Sequence, residues 1–336
     1  MFETRVFDVV NLLKKRRGEI MSKNQIQFQI GLSLPEFFED FGSEKQCEDY
    51  LEKLKWPKGY ECIDCQSNRF GTYQSGSRKI YQCKDCRKRH RLTSGTLFEA
   101  TKLPLRRWFM AIYEITQSKN CVSALELHRR LKVNYKTAWL MKHKIMQLMH
   151  ESDQVYKLQN KVEIDDAYLG GALKGSKRGR GSENKKPFIA AVQCNDAGHP
   201  VFVKLSPISG FTSTAMKAWA TDNLKPNTKT VTDGLACFNV LNKFGEHSVL
   251  VTSRAKKEEV EAVFKWVNTI LSNVKTSISG TFHSIDFGKY GFRYLADIQF
   301  RLNRRFDLRK MFFGLFEKAL VSLPKTEKVI NAPLSG

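Results

Sequence analysis

The sequence predicts a mixed α/β protein in which a cysteine-rich unit and a helical segment precede the main sheet. Three observations support this prediction. Strand-like runs alternate with helical patterns between residues 161 and 278, two Cys-x-x-Cys pairs lie between 58 and 100, and residues 104–150 have helical spacing throughout. Because strands followed by helices and further strands pack as a sheet covered by helices, we expect one α/β layer in the second half of the chain.

The N-terminal part is predicted to contain a small helical lead-in at residues 34–56, because its large apolar residues recur at roughly helical spacing. They are Phe37, Phe38, Phe41, Tyr50, Leu51 and Leu54. The preceding segment is polar and irregular, and a second methionine, Met21, opens a more domain-like stretch. We hypothesise that translation begins at Met21 and that 1–20 are an upstream extension; the intact mass of the natively expressed protein tests this.

The predicted elements of the second half fall between 161 and 278. Strands are expected at 161–169, 187–194, 200–206 and 229–233, and helices at 212–224, 235–244 and 256–278. The Gly- and Lys-rich stretch 174–186 is interpreted as a flexible basic loop between two strands.

The net charge of the chain indicates which class of partner it binds. Lysine and arginine number 56 against 34 acidic residues, a formal net charge of +22, which favours a polyanionic partner. Nucleic acid is the favoured partner, and the basic run 14–17 beside a short amphipathic stretch leaves an anionic lipid surface as the alternative. The sequence has no apolar run long enough for a membrane span and no signal peptide, so we expect a cytosolic protein.

The two cysteine pairs have the spacing of a structural zinc site. Cys62 and Cys65 form one Cys-x-x-Cys knuckle, Cys83 and Cys86 form the other, and 17 residues separate the pairs. Four thiolates satisfy one tetrahedral Zn²⁺, and the segment between them is predicted to be a hairpin with Gly76 in its turn. Free or redox-active cysteines are the alternative. The isolated cysteines, Cys47, Cys121, Cys194 and Cys237, are expected to be buried apolar residues.

Basic residues crowd this cysteine-rich unit, so we expect it to contact phosphate. They are Arg78, Lys79, Lys84, Arg87, Lys88, Arg89 and Arg91. His90 is interpreted as a surface or phosphate-contacting residue, because the zinc site already has four ligands.

Residues 123–145 are predicted to form a helix, a short turn and a second helix. Leu125 and Leu131 are expected to face the core, and Asn134 can cap the second helix. This order is that of a helix-turn-helix, whose second helix enters the major groove of DNA. The residues expected to approach DNA are Tyr135, Lys136, Thr137, Lys142 and Lys144. An ordinary helical hairpin with charged faces is the alternative.

Two aspartates are predicted to lie at strand ends. In the strand 161–169, Glu163 and Asp165 share one face and Asp166 takes the other, because strand side chains alternate. Asp233 ends a second strand. Two carboxylates at strand ends can converge on hard divalent ions, and two such ions about 4 Å apart favour in-line displacement at phosphorus. Each aspartate alone is weak evidence, since Asp-Gly after a strand is a common turn.

A helix downstream adds a third element. Asn268 and Lys275 are seven residues apart, about two helical turns, so both project from one face. Asn268 can offer a carbonyl oxygen to a metal and Lys275 can hold a phosphate. A solvated helix face with a surface lysine is the alternative.

These motifs together resemble a bacterial insertion-sequence transposase of the DDE superfamily, in the DDNK-type branch with an N-terminal zinc ribbon and an RNase H-like catalytic domain. The resemblance spans about residues 22–325. It depends on the two cysteine pairs and on the segments 94–108, 136–139, 163–171, 232–234, 266–275, 278–283, 293–297 and 301–305. The first knuckle departs from relatives, which usually have glycine where this chain has Gln66, and Asp166 replaces their usual glutamate.

The resemblance implies a division of the chain. The N-terminal extension and lead-in would span 1–57, the zinc ribbon 58–100, the helix-turn-helix 101–152, the catalytic domain 153–325 and a tail 326–336.

The resemblance also implies roles and partners. Asp165 and Asp233 would bind two Mg²⁺ or Mn²⁺ ions, with Asn268 where most of the superfamily has glutamate and Lys275 as the basic partner. The partners would be double-stranded DNA, as terminal inverted repeats and target, and further copies of the chain in a dimer or larger assembly. A bacterial cytoplasmic protein at the nucleoid is expected.

The alternatives are a catalytically weakened DNA-binding or regulatory derivative, and a nuclease or resolvase that cuts without joining. We hypothesise that Glu261 compensates in part for the carboxylate that Asn268 lacks, and that Asn268→Glu retains or raises activity. His247 and His283 match histidines in relatives, where a phosphate contact and a structural role are both open.

Overall fold

The computed structural model describes residues 30–332 except 77, 119, 171–183 and 283–284, so most of the predicted basic loop, His283 and the proposed start at Met21 lie outside it. The helices are α1 (Leu34–Phe41), α2 (Glu44–Lys55), α3 (Leu105–Gln117), α4 (Ala124–Leu131), α5 (Tyr135–Gln154), α6 (Ser213–Asn223), α7 (Lys257–Val263), α8 (Lys265–Thr281), α9 (Phe287–Asn303), α10 (Leu308–Val321) and α11 (Glu327–Asn331). The strands are β1 (Phe70–Ser75), β2 (Arg78–Cys83), β3 (Arg89–Arg91), β4 (Lys161–Leu169), β5 (Lys186–Cys194), β6 (Pro200–Pro207), β7 (Lys229–Thr232) and β8 (His247–Val249).

The main sheet has five strands in the order β6-β5-β4-β7-β8, so β4 lies at its centre. Strand β4 is antiparallel to β5 and parallel to β7, which in turn is parallel to β8. This mixed sheet with helices packed on it confirms the predicted α/β class and the RNase H-like layer that the resemblance implies.

Most elements of this layer agree with the sequence prediction, including strands β4 to β7 and helix α6. The helix predicted at 235–244 is a 3-10 helix, Ala236–Lys243. The single helix predicted over 256–278 is wrong, because the chain breaks at Phe264 and forms α7 and α8. The buried Phe264 ring packs in the core with α8, and its backbone leaves helical geometry there. Strand β8 was not predicted, since three residues carry no detectable alternation.

The two faces of the sheet are both covered, which explains the continuous apolar run of β5. Phe188, Ala190 and Val192 pack on one side with α8 and α9. Ile189 and Ala191 pack on the other side with α6 and the 3-10 helix. The sheet is therefore held between two apolar layers.

A separate core joins the helices of the N-terminal half. The predicted lead-in is confirmed as α1 and α2, and both pack with α3 and α10. The Phe109 ring of α3 lies 4.1 Å from the Phe316 ring of α10. Helix α10 belongs to the predicted span of the catalytic domain, yet its apolar face completes this N-terminal core.

The cysteine-rich unit is a three-stranded antiparallel sheet in the order β1-β2-β3. Gly76 lies in the turn between β1 and β2 with a φ of +61°, a conformation that glycine adopts at little cost. The predicted hairpin is therefore confirmed.

Outside that unit, the four isolated cysteines are all buried, as the sequence predicts. Within the described ranges, no helix has the length and apolar character that crossing a bilayer requires.

Candidate active site and metal-ligand clusters

Three carboxylates meet where β7 ends beside the middle of β4. Oxygen atoms of Asp165, Asp166 and Asp233 all lie within 4.8 Å of one another. The alternation predicted for β4 holds in the backbone, because Asp165 pairs with Ala190 and Asp166 with Ile189, which pack on opposite faces of the sheet. The Asp166 carboxylate nevertheless lies close to that of Asp165. Strand β7 pairs with β4 only as far as Glu163, so beyond that point the β7 side of β4 is open and both carboxylates reach it.

The negative charges of the three carboxylates act on one another. Burial, and then the charges of Asp166 and Asp233, raise the pKa of Asp165 to about 6, while Lys275 acts in the opposite direction. Three acidic groups in one half-buried place repel one another, and a divalent cation relieves that repulsion. The donor set is all oxygen, which suits Mg²⁺ or Mn²⁺.

The loop after β7 fixes Asp233. Its carboxylate accepts a hydrogen bond from the backbone N–H of Leu235 at 3.1 Å, and the Thr232 hydroxyl donates to the Asp233 carbonyl at 2.9 Å. The Thr232 hydroxyl also lies 2.8 Å from a ring nitrogen of His247. His247 therefore supports the Asp233 turn from β8, which favours its structural role over a phosphate contact.

Helix α8 carries the other two predicted site residues. Asn268 and Lys275 are both exposed, and the charge of Lys275 acts on Asp165. No contact joins Asn268 to the acidic cluster among the described atoms, so its role as a metal ligand stays a prediction. Glu261 lies on α7, before the break, and not on the helix that carries Asn268. It pairs with Lys257 at 3.6 Å, and its compensating role stays a prediction.

A fourth acidic residue was missed as a site residue by the sequence reasoning. Glu163 is only 3% exposed, and its carboxylate accepts hydrogen bonds from the backbone N–H groups of Trp266 and Val267. The signal was present, since Glu163 is an acid between the buried residues Val162 and Ile164, and a buried charge requires partners.

The four cysteines of the two knuckles converge as predicted, with sulfur atoms within 4.8 Å of one another. The Sγ atoms of Cys62 and Cys86 are 3.6 Å apart, as are those of Cys65 and Cys83. Spacing of this order fits four thiolates around one tetrahedral ion.

Each knuckle turn contains a residue with positive φ. Gln66 has a φ of +60° and Arg87 one of +61°. Gln66 therefore adopts a backbone conformation that glycine adopts at lower cost.

His90 is not the surface residue that the sequence suggested. Its ring is 8% exposed and lies 2.9 Å from the Asp64 carboxylate and 3.7 Å from the Cys62 sulfur. It packs behind the cysteine cluster, where its N–H can support the first knuckle.

The predicted helix-turn-helix is present as α4 and α5, and the Asn134 cap is confirmed: its side chain accepts from the Lys136 N–H at 2.8 Å. Tyr135 and Lys136 are exposed and Thr137 is half-buried at the start of α5. Lys136 pairs with Glu327 of α11 at 2.8 Å. Their contact with DNA stays a prediction.

One lysine of the predicted DNA-binding set is wrong, because Lys142 lies in the core; the contact of Lys144 with DNA stays a prediction. Lys142 is 1% exposed, with its Nζ 4.0 Å from the Phe282 ring centre, and burial lowers its pKa to about 8. Lys144 is half-buried, with its Nζ 5.9 Å from the Trp108 ring centre. On α4, Leu125 is 53% exposed rather than in the core.

Comparison with known proteins agrees with this architecture. The family model of the ISXO2-like transposase domain matches residues 157–303, and that of the transposase zinc-ribbon domain matches 42–89. An uncharacterized protein in transposable element ISH50 of Halobacterium salinarum is 28% identical, and the match covers 60% of this chain and 71% of that protein. The chain thus contains the domains of a transposase. More narrowly, the chain belongs to the insertion-sequence transposases that carry an N-terminal zinc ribbon before an ISXO2-like transposase domain.

Two solved structures are also similar. The pre-cleavage Mos1 transpososome is 10% identical, covers 65% of this chain and 78% of its own, and has a TM-score of 0.24. The Mos1 strand transfer complex is 10% identical, covers 62% and 77%, and has a TM-score of 0.21. At these TM-scores neither likeness supports a conclusion about this chain.

Proposed function

We propose that this chain is a DDE-superfamily transposase that binds the terminal inverted repeats of its insertion sequence and catalyses divalent-metal-dependent phosphodiester hydrolysis and strand transfer. The observation that carries the proposal is the convergence of Asp165, Asp166 and Asp233 beside the end of β7, within electrostatic reach of Lys275. Convergence of oxygen ligands is what two-metal phosphoryl transfer requires.

Asp165 and Asp233 would hold two Mg²⁺ or Mn²⁺ ions, which supply activation of the attacking oxygen and stabilisation of the leaving oxygen. Asp166 adds a third carboxylate, which offsets the negative charge that Asn268 does not provide. Lys275, exposed on α8, is suited to hold a DNA phosphate against the acidic cluster. The first product would be a free 3′ hydroxyl, and the same site would then direct that hydroxyl at target DNA.

DNA binding is assigned to the N-terminal half. Four cysteines would hold one structural Zn²⁺ and keep the basic three-stranded sheet folded, because a unit of this size buries little apolar surface. The exposed first turn of α5, with Tyr135, Lys136 and Thr137, would read the inverted repeats. Holding two element ends at once requires a dimer or a larger assembly.

The test is Mg²⁺- or Mn²⁺-dependent cleavage and joining of a labelled duplex that bears the inverted repeats flanking the gene. Asp233→Asn is the matched variant, since it keeps the size of the side chain and the hydrogen bond from Leu235. We expect joining by the wild type and a loss of about 10³-fold or more in the variant, since metal coordination supplies several kcal/mol to such reactions.

The second candidate is a DNA-binding regulatory derivative, and the neutral Asn268 in place of an acid favours it. Salt-sensitive binding of the same duplex without any cutting would support that candidate and contradict the proposal. Cutting without joining would instead indicate a nuclease or resolvase.

A further inference from the structure

Helix α8 begins without a capping side chain of its own. Its N-cap residue is Phe264, whose side chain makes no capping hydrogen bond. The first N–H groups of a helix have no partner within the helix, and burying them unpaired is costly. At this end of α8, the missing acceptor comes from the sheet instead.

Glu163 supplies that acceptor from β4. One oxygen of its carboxylate accepts from the Trp266 N–H at 3.0 Å and from the Val267 N–H at 2.9 Å. These are the second and third residues of α8, the two positions that an N-cap side chain normally serves. The other oxygen lies 3.6 Å from the thiol of Cys194 on β5, which donates to it. Each Glu163 oxygen therefore has a partner, which offsets the cost of burying its charge.

The position of Glu163 links both halves of the candidate active site. It precedes Asp165 by two residues on the same strand, so the two side chains leave the same face of β4 about 7 Å apart. It holds the helix that carries Asn268, the residue next to Val267, and Lys275 two turns later.

Apolar packing alone does not fix this arrangement. Val267, Ile270, Leu271 and Val274 press α8 onto the sheet. Such packing is non-directional and tolerates a slide along the helix axis. Two hydrogen bonds to one carboxylate are directional, and they fix where along its axis α8 begins.

We propose that Glu163 is a positioning residue that sets the axial register of α8 against β4, and so places Lys275 and Asn268 relative to Asp165. The anchor depends on the contacts alone, whereas its catalytic consequence rests on the proposed function. Removing the anchor lowers the rate of strand cleavage without weakening DNA binding.

The experiment compares Glu163→Met with Glu163→Gln in the full-length protein. Both replacements approximate the length of glutamate, but only glutamine keeps an oxygen that can accept the two N–H bonds. Glu259→Met is the matched control, because the Glu259 carboxylate accepts a hydrogen bond at the N-terminus of the neighbouring α7 and lies exposed. The readouts are amide hydrogen exchange over 264–275, the cleavage rate at saturating duplex and the Kd for the duplex.

In Glu163→Met, we expect the amide hydrogens in the first turn of α8 to exchange about tenfold faster than in the wild type. The cleavage rate of this variant should fall by about 10²-fold, the effect of a misplacement near 1 Å, while the Kd for the duplex stays the same. Glu163→Gln and Glu259→Met should resemble the wild type in every readout. A general loss of stability would not lower the cleavage rate while leaving the Kd unchanged. It would also not be avoided when glutamine, rather than methionine, replaces Glu163.

The proposal is overturned if Glu163→Met has the amide exchange and the cleavage rate of the wild type. It is also overturned if Glu163→Gln loses as much protection from exchange and as much cleavage rate as Glu163→Met. If Glu163→Met does not fold, Glu163→Asp replaces it: the charge remains, but the side chain is one methylene too short, so the same losses are expected. If the wild type itself does not cut, the proposed function fails, and amide exchange alone still supports or overturns the anchor.

Discussion

The two clusters of candidate metal ligands in this chain are built in opposite ways. Each cysteine pair is held by its own tight turn, and a single hairpin joins the two pairs. The acidic cluster takes Asp165 and Asp166 from the central strand and Asp233 from the residue after β7, far along the chain, while Lys275 lies on a helix. The difference shows that local spacing is enough to specify the first cluster, whereas the second exists only once the sheet has formed.

The largest expected effect is on the local cluster. Removing zinc with a chelator, or changing Cys83 to Ser, should unfold residues 58–91, because structural Zn²⁺ contributes on the order of 10 kcal/mol to such units at neutral pH. Limited proteolysis and circular dichroism of the full-length protein measure this. Cys237→Ser, a change at a buried cysteine far from the cluster in sequence, is the control and should leave the unit intact. Resistance of the unit to proteolysis after chelation would contradict the zinc assignment.

Removing a ligand from the acidic cluster should raise the stability of the metal-free protein, whereas loss of a cysteine ligand lowers it. Because the pKa of Asp165 is raised to about 6, the folded protein binds a proton there that the unfolded chain has lost, so stability falls as the pH rises from about 4 to 6. Asp165→Asn should therefore stabilise the metal-free protein by about 1–3 kcal/mol above pH 6, and abolish cleavage. Denaturant unfolding at pH 5 and 7.5 checks the sign. A variant less stable than the wild type at pH 7.5 would contradict it.

Restoring a fourth carboxylate is a smaller change in the same cluster. Asn268→Glu should tighten Mn²⁺ binding by about 3- to 10-fold, because the number of ligand charges tunes the affinity of oxygen sites. Titration calorimetry measures this, with Asn273→Glu, an exposed position on the same helix, as the control. Equal affinities in all three proteins would remove Asn268 from the ligand set.

The smallest effect concerns the first knuckle. Gln66 has a φ of +60°, which costs a residue with a side chain more than it costs glycine. Gln66→Gly should stabilise the zinc-bound unit by about 0.5–1 kcal/mol, after the loss from a more flexible unfolded chain is subtracted. A shift in the denaturation midpoint to higher denaturant is expected, and Gln82→Gly, within a strand, should shift it the other way.

Much of the fold was predictable because it is encoded in short-range patterns. The strands β4 to β7 follow from alternation and apolar runs, and the cap at Asn134 follows from one residue before a helix. Several errors occur where a distant segment changes the environment of a residue. Lys142 has a charge typical of a surface, but Phe282 and Tyr294 cover it from segments far along the chain.

The candidate site was predictable in part for the same reason. Asp165 and Asp233 were found from the two predicted strands, whereas the approach of the Asp166 carboxylate was not predicted, because the alternation rule does not contain the point at which β7 stops pairing. The role of Glu163 depends on the break at Phe264, and that break depends on the core it enters.

By itself, the sequence determined the cysteine cluster, the basic character, the order of most strands and helices, and the two candidate aspartates. Each of these follows from spacing or composition within a few residues. Only the tertiary structure decided which carboxylates converge, which lysines stay in solvent, and which side chain holds the start of α8. These depend on segments far apart in the chain, and the energy of burial and pairing is defined only when the segments meet.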